Sequence, residues 1–493
     1  MRTASRDWWW RRRVWMIPLL VFVALALPGL FGGVWAVDMG WYGGISRGIV
    51  EDGDFWRLHA GDRVYFNKPP LAFWLGAMSL KAFGGHDWAV RLPGMLCAAG
   101  IVAATVALVR RLSGPRVGLA AGVVMAATPE LVRASTQFRL DVPHTLFIVL
   151  AALGGVIAAK REGAGQRGWR LAGPMLASGG MVGLALLTKP FFSPLAYVFM
   201  APWLVWAGAR RTLFWAVPAV MTGLAIAAPW HVSMALHYGR PFVDEYLGRQ
   251  AIARGLGSAF ESDPWWYYLK LIATTYWPWL AALTMALVAA ARGRTLSRNR
   301  GGVVLAIVWA GLWIAAVSAF ADKRRQYLLP AYPGLAWLAG LWLANVLLAG
   351  MKLRGRRAWL DLAAVAGLAV SVVVTATGAA SLWRRPMQKQ WIDFFAFAEG
   401  VKPAEIWAGA VNYNNAGMIC AVTGRWPRTI EWRRDYRTPP PVGGLVLFSE
   451  GEPPNGAEVV FKSGRVVVVR WPAGLEDPRD HDGPPENTAA IAR

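Results

Sequence analysis

Long apolar runs, separated by short polar connectors, recur along most of this chain. A run of roughly 17 to 25 apolar residues can cross a bilayer as a helix. The chain has 493 residues, of which 56% are apolar and only 16% charged, as expected for an all-α polytopic membrane protein. The predicted eleven spans cover approximately residues 14–37, 88–109, 115–133, 141–159, 171–187, 191–207, 213–230, 269–291, 303–320, 327–349 and 358–382.

Basic clusters predict which side of the membrane each connector faces. Besides the amino terminus, they lie at 110–116, 160–170, 210–211, 292–300 and 352–357. All of them share the cytoplasmic side, as the positive-inside rule requires, if the short apolar stretch 71–83 lies along the membrane interface instead of crossing it. The amino terminus is then cytoplasmic. The net charge of +23 is explained by topology, and nucleic-acid binding is not implied.

This topology sends four connectors to the opposite, periplasm-like face, namely 38–87, 133–140, 231–268 and 321–326. The membrane domain is predicted to comprise residues 1–382, and the chain after residue 382 falls on the same periplasm-like side. Strand-like runs at 444–449, 457–461 and 465–471 and a helix near 390–400 predict a small α/β domain over residues 383–477. Residues 478–493, rich in Asp, Pro, Gly and Ala, are predicted to be a disordered tail.

Two carboxylates stand at the edges of apolar runs on the periplasm-like face. Asp38 directly follows the first run, where an unpaired carboxylate is costly and usually faces a cavity or a partner. Asp141, in the sequence FRLDVP, begins another run. Helix capping stays open for each, since Asp is a good N-cap. As a pair they predict acid/base or sugar-binding chemistry, and we interpret residues 38–87 as the catalytic loop.

Basic residues on the same face predict an anion site. Lys68 is followed by Pro69 and Pro70, whose rings restrict the backbone and therefore aim the ammonium. A fixed cation at the interface suits a phosphate, while a snorkelling lysine is the alternative. Lys323 and Arg325 stand where the positive-inside trend disfavours basic residues, which favours an anionic ligand.

Other reactive side chains give weaker signals. Lys189, in LLTKPFF, occupies a very short connection, and the sequence does not separate ligand binding from snorkelling there. The histidines lack the helical i, i+4 spacing of a metal site, so no metal is expected, although a divalent cation bound by Asp38 and Asp141 stays open. Cys97 and Cys420 imply neither a disulfide framework nor a thiolate site.

Several motifs recur in a fixed order along residues 14–350. The first loop contains D(x)3Y…R…GD at Asp38, Tyr42, Arg47, Gly53 and Asp54. There follow YFNKPPLAFW at 65–74, FG…RLP at 83–93, LLTKP at 186–190, APW at 228–230, PWWYY at 264–268 and K(x)3YLLPAYP at 323–333. As a set they resemble the bacterial GT-C glycosyltransferases of the aminoarabinose transferase and protein O-mannosyltransferase superfamily.

The resemblance implies a reaction and a set of roles. Members transfer a sugar from a polyprenyl phosphate carrier to an acceptor at the outer face of the cytoplasmic membrane, with inversion at the anomeric carbon. Asp38 takes the position of the catalytic aspartate, as a base or an orienting group, and Asp141 that of the second-loop acidic residue. The residues assigned to the donor phosphate by resemblance, or by position alone for the arginines and Lys323, are Lys68, Tyr327, Arg47, Lys323 and Arg325.

The chain departs from the family pattern at three places. Met39 replaces a second acidic residue that many relatives have. Asn67 and Ala251 stand where aminoarabinose transferases have a Glu and a His that help bind a metal, although Arg254 is kept. This argues against that metal site and against a strict aminoarabinose transferase. The third departure, Pro190 in place of Gly, has no predicted consequence.

The residue types fit a transfer from a lipid phosphate. The leaving group is already an anion, so fixed cations stabilise it and no general acid is needed. The sequence predicts a glycosyltransferase of the bacterial inner membrane that acts on a lipid, glycan or protein acceptor. A secondary transporter or lipid flippase is the alternative, but no inverted repeat is evident. A non-catalytic lipid-binding homologue also stays open. The retention of Asp38, Lys68 and Asp141 argues against this alternative.

Overall fold

The computed structural model describes most of the chain before residue 349 and parts of the chain beyond it. The described residues are 16–31, 37–60, 63–189, 193–253, 263–291, 296–348, 393–394, 396–398, 406–408, 428–429, 443–448 and 456–470. The predicted span 358–382 and the predicted tail 478–493 lie outside them.

Helices dominate the described part before residue 349. They are α1 (Met16–Leu30), α2 (Val37–Asp52), α3 (Leu71–Phe83), α4 (Asp87–Ser113), α5 (Pro115–Ala126), α6 (Pro129–Ser135), α7 (Asp141–Gly163), α8 (Trp169–Leu186), α9 (Leu195–Trp206), α10 (Arg210–Phe214), α11 (Ala216–Tyr238), α12 (Arg240–Val243), α13 (Tyr267–Thr275), α14 (Trp277–Ala291), α15 (Leu296–Ala319) and α16 (Tyr332–Leu348). A π-helix, Asp244–Ala253, follows α12, and a 3-10 helix, Arg325–Ala331, precedes α16.

The predicted apolar runs before residue 350 coincide with helices. Five helices of the described part are long and apolar enough to cross a membrane, or up to seven if each of two bent pairs is one span. The first pair, α5 and α6, is bent by 59°, and Pro129 at the start of α6 fits this break because proline lacks a backbone N–H. The chain is a multi-span membrane protein, and the eleven spans stay a prediction.

The stretch 71–83 forms a helix of its own, as its sequence predicts. α3 has 13 residues, fewer than the roughly 17 that a span requires. It begins directly after Pro69 and Pro70, since proline is favourable at a helix start and disfavours the helical conformation of the residue before it.

The described residues group into two compact units. The first comprises those within Met1–Leu30, Asn67–Ala72 and Gly94–Leu382, and the second those within Phe31–Phe66, Phe73–Pro93 and Trp383–Arg493. The predicted boundary at residue 382 stays a prediction.

Glycines bring two helices of the first unit into backbone contact. A Cβ added at Gly179 of α8 would clash with the carbonyl of Ala219 of α11. A Cβ at Gly183 would lie 2.7 Å from the carbonyl oxygen of Gly223, and one at Gly223 would lie 2.9 Å from that of Gly179. Small residues four apart allow this approach, which in membranes contributes van der Waals packing between helices.

The second unit contains the first-loop elements and the carboxyl-terminal strands. The loop carries α2 and a short hairpin of β1 (His59–Ala60) and β2 (Arg63–Val64). The carboxyl-terminal sheet contains β3 (Ile406–Ala408), β4 (Arg428–Thr429), β5 (Leu445–Phe448), β6 (Glu458–Ser463) and β7 (Val466–Arg470), in the order β4-β3-β5-β7-β6. β3 is parallel to β4 and β5, and the other pairs are antiparallel.

The three predicted strand-like runs of the carboxyl-terminal region correspond to β5, β6 and β7. β5 and β7 contribute a small apolar core of Val446, Phe448, Val467 and Val469, and β6 pairs with β7 at the edge of the sheet. The sequence did not predict β3 and β4, which have only three and two residues.

A bulky side chain at Gly183 should separate α8 from α11. We expect Gly183→Leu to destabilise the protein by about 1–3 kcal/mol, because the new side chain meets the backbone of α11. Thermal unfolding of the detergent-purified protein measures the effect. Gly173→Leu, on the same helix, is the matched control, since a Cβ there meets nothing within 4 Å. Equal unfolding midpoints for the two variants would contradict the close approach.

Candidate active site

A buried ion pair joins two separate segments of the first unit. Asp141 is the first residue of α7, and the amino-terminal cap of this helix is Leu140, with no side-chain capping bond. The Asp141 carboxylate instead accepts a hydrogen bond of 2.6 Å from Lys189 Nζ, and both side chains are only 11% exposed. The capping alternative for Asp141 and the snorkelling alternative for Lys189 are therefore not what the structure shows.

Aromatic and hydroxyl groups surround this pair. Lys189 Nζ lies 3.8 Å from the ring centroid of Tyr327, a distance at which a cation is attracted to the face of a ring. The backbone carbonyl of Tyr327 accepts a hydrogen bond from Trp313 Nε1 at 2.9 Å. Ser193 Oγ donates to the Lys189 carbonyl at 2.8 Å and lies 3.1 Å from His144 Nε2. The predicted site residues Asp141 and Tyr327 thus both contact Lys189.

Lys68 belongs to a segment that is hydrogen-bonded to the chain just before Lys189. The backbone N–H of Leu71 donates to the carbonyl of Leu187 at 3.0 Å. The Lys68 side chain is half-buried, and its Nζ donates to Gln250 Oε1 at 3.2 Å. Two lysines of the sequence motifs, in NKPP and LTKP, therefore lie on backbone segments in direct contact.

A second charged group centres on Glu130, a buried carboxylate at the start of α6, beside the bend between α5 and α6. Arg133 donates to both Glu130 oxygens through Nε and Nη2. Arg325 Nη2 donates to Glu130 Oε2 at 3.3 Å, while 45% of the Arg325 side chain remains exposed. Arg139 interacts electrostatically with both Glu130 and Asp141. It therefore links the Glu130 group to the Asp141–Lys189 pair.

The structure gives Lys323 backbone partners. Its side chain is buried, and Nζ donates to the carbonyls of Phe320 at 2.7 Å and Asp263 at 2.8 Å. These bonds hold the turn before the 3-10 helix. Its assignment to the donor phosphate stays a prediction.

The first-loop residues belong to the second unit. Asp38 is the second residue of α2, and its side chain lies outside the described part. Arg47 lies in the same helix. Its Nη2 donates to the carbonyl oxygen of Gly85 at 3.4 Å, and its Nε lies 3.9 Å from Glu51 Oε1. The catalytic assignment of Asp38 and the phosphate assignment of Arg47 stay predictions.

Asp54 organises the turn after α2. Burial tends to raise the pKa of this carboxyl, but hydrogen bonds from Arg57 and from the Trp56 backbone outweigh burial and lower the pKa below its ordinary value. Its strongest partner is Arg57 Nε at 2.6 Å. The GD motif is thus explained by local structure.

The basic side chains Lys68, Arg133 and Arg325 are suited to holding an anion. Lys68 is held by an uncharged amide, and Arg133 and Arg325 share a single carboxylate. Because these side chains are held in place, little reorganisation is needed when charge develops on a ligand. Among the described residues, no three His, Cys, Asp or Glu side chains are grouped as a metal site would require. The absence of a metal requirement stays an expectation.

Sequence reasoning missed Glu130 and Gln250. Glu130 carries a signal, because a carboxylate at the end of an apolar run usually has a charged partner. Gln250 carries none, since its role depends on a contact with a residue 182 positions away. Lys189 was recognised, but its pairing with Asp141 was not predicted.

Sequence comparisons find similar proteins that are named as glycosyltransferases. The family model described as dolichyl-phosphate-mannose-protein mannosyltransferase matches residues 67–232. The undecaprenyl phosphate-alpha-4-amino-4-deoxy-L-arabinose arabinosyl transferase of Pseudomonas paraeruginosa is 31% identical over 342 residues, which are 67% of this chain and 59% of the relative. A similarly named transferase of Pseudomonas fluorescens is 27% identical over 67% of this chain and 60% of the relative. The chain thus matches about three fifths of these relatives' length.

Solved structures share the fold. ArnT from Cupriavidus metallidurans in the apo state has a TM-score of 0.71 at 19% identity and covers 97% of this chain and 100% of its own. The same protein bound to undecaprenyl phosphate has a TM-score of 0.69 at 19% identity, covering 95% and 99%. The archaeal oligosaccharyltransferase AglB from Archaeoglobus fulgidus has a TM-score of 0.59 at 15% identity, covering 86% and 64%.

These likenesses identify the fold as that of the GT-C glycosyltransferases, in a multi-span membrane protein. They also confirm the resemblance that the motifs indicated. Within this class, the chain is similar in sequence and in fold to the aminoarabinose transferases.

The Asp141–Lys189 pair should stabilise the first unit only as a pair. We expect Asp141→Ala to cost about 3–5 kcal/mol, because it leaves a buried ammonium without its carboxylate. Adding Lys189→Met should recover part of this loss. Thermal unfolding of the single and double variants measures both effects, with the exposed Asp52→Ala as the control. A double variant whose loss equals the sum of the single losses would contradict the pairing.

Proposed function

We propose that this protein is a glycosyltransferase that moves a sugar from a polyprenyl-phosphate donor to an acceptor at the outer face of the bacterial inner membrane. The observation that carries the proposal is the backbone contact between the Lys68 segment and the Lys189 segment, in a chain whose fold matches that of ArnT. One of the ArnT structures from Cupriavidus metallidurans holds undecaprenyl phosphate. A polyprenyl phosphate is therefore the donor carrier we propose for this chain.

The proposed chemistry assigns cations to the leaving phosphate. Lys68, together with Tyr327, whose ring lies against Lys189, would bind the donor phosphate and stabilise the charge released when the glycosyl bond breaks. Arg325 would add positive charge through its exposed portion, as would Arg47 from the first loop. The bond between the anomeric carbon and the phosphate oxygen breaks as the acceptor oxygen attacks, and inversion follows if the attack comes from the opposite face.

Asp38 is proposed as the base or orienting group for the acceptor. A hydroxyl acceptor needs a base to remove its proton, whereas a phosphate acceptor is already ionised and needs only orientation. Asp141 would act through Lys189, because its carboxylate is engaged there. The acceptor is a lipid A, a lipopolysaccharide, another envelope glycan or a protein.

We also propose a membrane topology for the chain. Eleven spans, a cytoplasmic amino terminus and a periplasmic carboxyl-terminal domain follow from the positive-inside rule. They would put the first loop, the start of α7 and the turn before the 3-10 helix on the periplasmic face, where a lipid-linked sugar and an envelope acceptor meet.

A transfer assay tests the proposal. The purified protein is supplied with labelled polyprenyl-phosphate sugars, including the aminoarabinose donor named for its relatives and a hexose donor, and with a membrane lipid extract. We expect transfer that resists a metal chelator. Lys68→Ala should lower the rate about 100-fold, as loss of a group that stabilises a developing anion does, and Asp38→Asn should lower it comparably.

Two variants serve as matched controls. Lys81→Ala changes an exposed lysine at the other end of α3, and Asp52→Asn changes an exposed aspartate at the other end of α2; both should transfer at the wild-type rate. Unchanged transfer in Lys68→Ala and Asp38→Asn would remove the first loop from the mechanism. A folded wild type that binds a polyprenyl-phosphate sugar and moves it across a vesicle membrane without transfer would instead indicate a flippase.

A further inference from the structure

The π-helix Asp244–Ala253 supplies a buried amide to Lys68. Gln250 is only 8% exposed although its side chain is polar. Its Oε1 accepts the hydrogen bond from Lys68 Nζ at 3.2 Å, and its Nε2 donates to Glu245 Oε1 at 3.0 Å. Both hydrogen-bonding ends of the amide are therefore used, one on the lysine and one on the glutamate.

The partners determine which way the amide faces. An ammonium has only donors and an ionised carboxylate has only acceptors. The amide oxygen must therefore point to Lys68 and the amide nitrogen to Glu245, and the reverse orientation would lose both bonds. Glu245 is itself held by Arg249, whose Nη1 lies 3.5 Å from Oε2. The three residues Lys68, Gln250 and Glu245 form what we call the amide relay.

The winding of the segment makes the relay geometrically possible. Glu245 and Gln250 are five residues apart, which in an α-helix of 3.6 residues per turn puts them roughly 140° apart around the axis. A π-helix hydrogen-bonds residue i to residue i+5 and so turns these two positions toward the same side. Local π winding often occurs at functional sites.

A second contact fastens the same segment. Tyr246, one residue after Glu245, is buried, and its hydroxyl lies 2.7 Å from His231 Nε2 of α11. Burial raises the pKa of the Tyr246 hydroxyl, so the neutral phenol is the form that makes this bond. The buried side of the π-helix is thus attached to α11 and to Lys68, while Leu247 and Ile252 are exposed.

We propose that Gln250 is a positioning residue for the donor phosphate. This role rests on the proposed function of Lys68. The amide relay holds the Lys68 ammonium in place through an uncharged acceptor, the Gln250 amide oxygen. A carboxylate at position 250 would also fix the lysine, but it would neutralise the charge that an anionic ligand needs. The amide directs Lys68 without cancelling that charge. Gln250 acts through Lys68 and does not take part in bond breaking.

Binding of a polyprenyl phosphate to the full-length protein in lipid nanodiscs tests the relay. The probes are undecaprenyl phosphate and undecaprenol, which lacks the phosphate. We expect Gln250→Glu, which has nearly the same size, to raise the Kd for the phosphate about tenfold, because a charge-assisted bond to a carboxylate competes with the ligand. Gln250→Ala should raise it about threefold. Binding of undecaprenol should not change.

Coupling to Lys68 separates positioning from a structural role. In the Lys68→Ala background, Gln250→Glu should have no further effect on the Kd for undecaprenyl phosphate, because the two residues act in one chain of contacts. Gln166→Ala is the matched control, since this glutamine lies between α7 and α8 and its backbone N–H bonds to Arg161. Its Kd should equal that of the wild type.

Three results would overturn the inference in different ways. Equal weakening of undecaprenyl phosphate and undecaprenol by Gln250→Glu would indicate a structural role only. An undiminished effect of Gln250→Glu in the Lys68→Ala background would refute the relay while leaving Lys68 as a phosphate ligand. Wild-type binding by Lys68→Ala would refute the phosphate role of Lys68, and the relay with it.

Discussion

The ion pair between Asp141 and Lys189 is the interaction on which the rest of the site depends. It joins the start of α7 to the turn after α8, and Tyr327 lies against the same ammonium. The Leu71–Leu187 hydrogen bond then adds the Lys68 segment. Because charges in a membrane protein are costly unless they are paired, this pair lets a polar cluster exist inside an apolar bundle. One buried contact therefore organises groups that come from four distant parts of the sequence.

Much of the fold follows from local sequence patterns. Apolar runs predicted the long apolar helices before residue 349, though not α2, α12 or the π-helix. Pro69 and Pro70 predicted the start of α3, and alternating apolar residues predicted β5, β6 and β7. These features depend on residues close together in the chain. The break between α5 and α6 was not predicted, although Pro129 marks it, because proline is tolerated in many membrane helices.

The site was less predictable because its contacts are long-range. Asp141 was recognised from its position at the edge of an apolar run, and Lys68 from the two prolines that follow it. The partner of each, Lys189 and Gln250, is set by tertiary packing. Lys323 illustrates another case. Its basic character on the predicted periplasm-like face favoured an anion ligand, which stays a prediction, and the structure gives its ammonium two carbonyl partners. A charge that departs from the predicted topology therefore points to a specific environment, but the sequence does not reveal which one.

The glycine contact between α8 and α11 also affects the positions of the polar groups that follow or lie on these helices. α8 leads directly into the turn that carries Lys189, and α11 carries His231, to which the π-helix is attached. The spacing between the two helices is fixed by main chain against main chain, so no side-chain rotamer enters it. The anchor points of Lys189 and of the π-helix are consequently held at a distance that is insensitive to rearrangement of the surrounding apolar side chains. We therefore expect the polar geometry to stay constant in lipids of differing acyl composition.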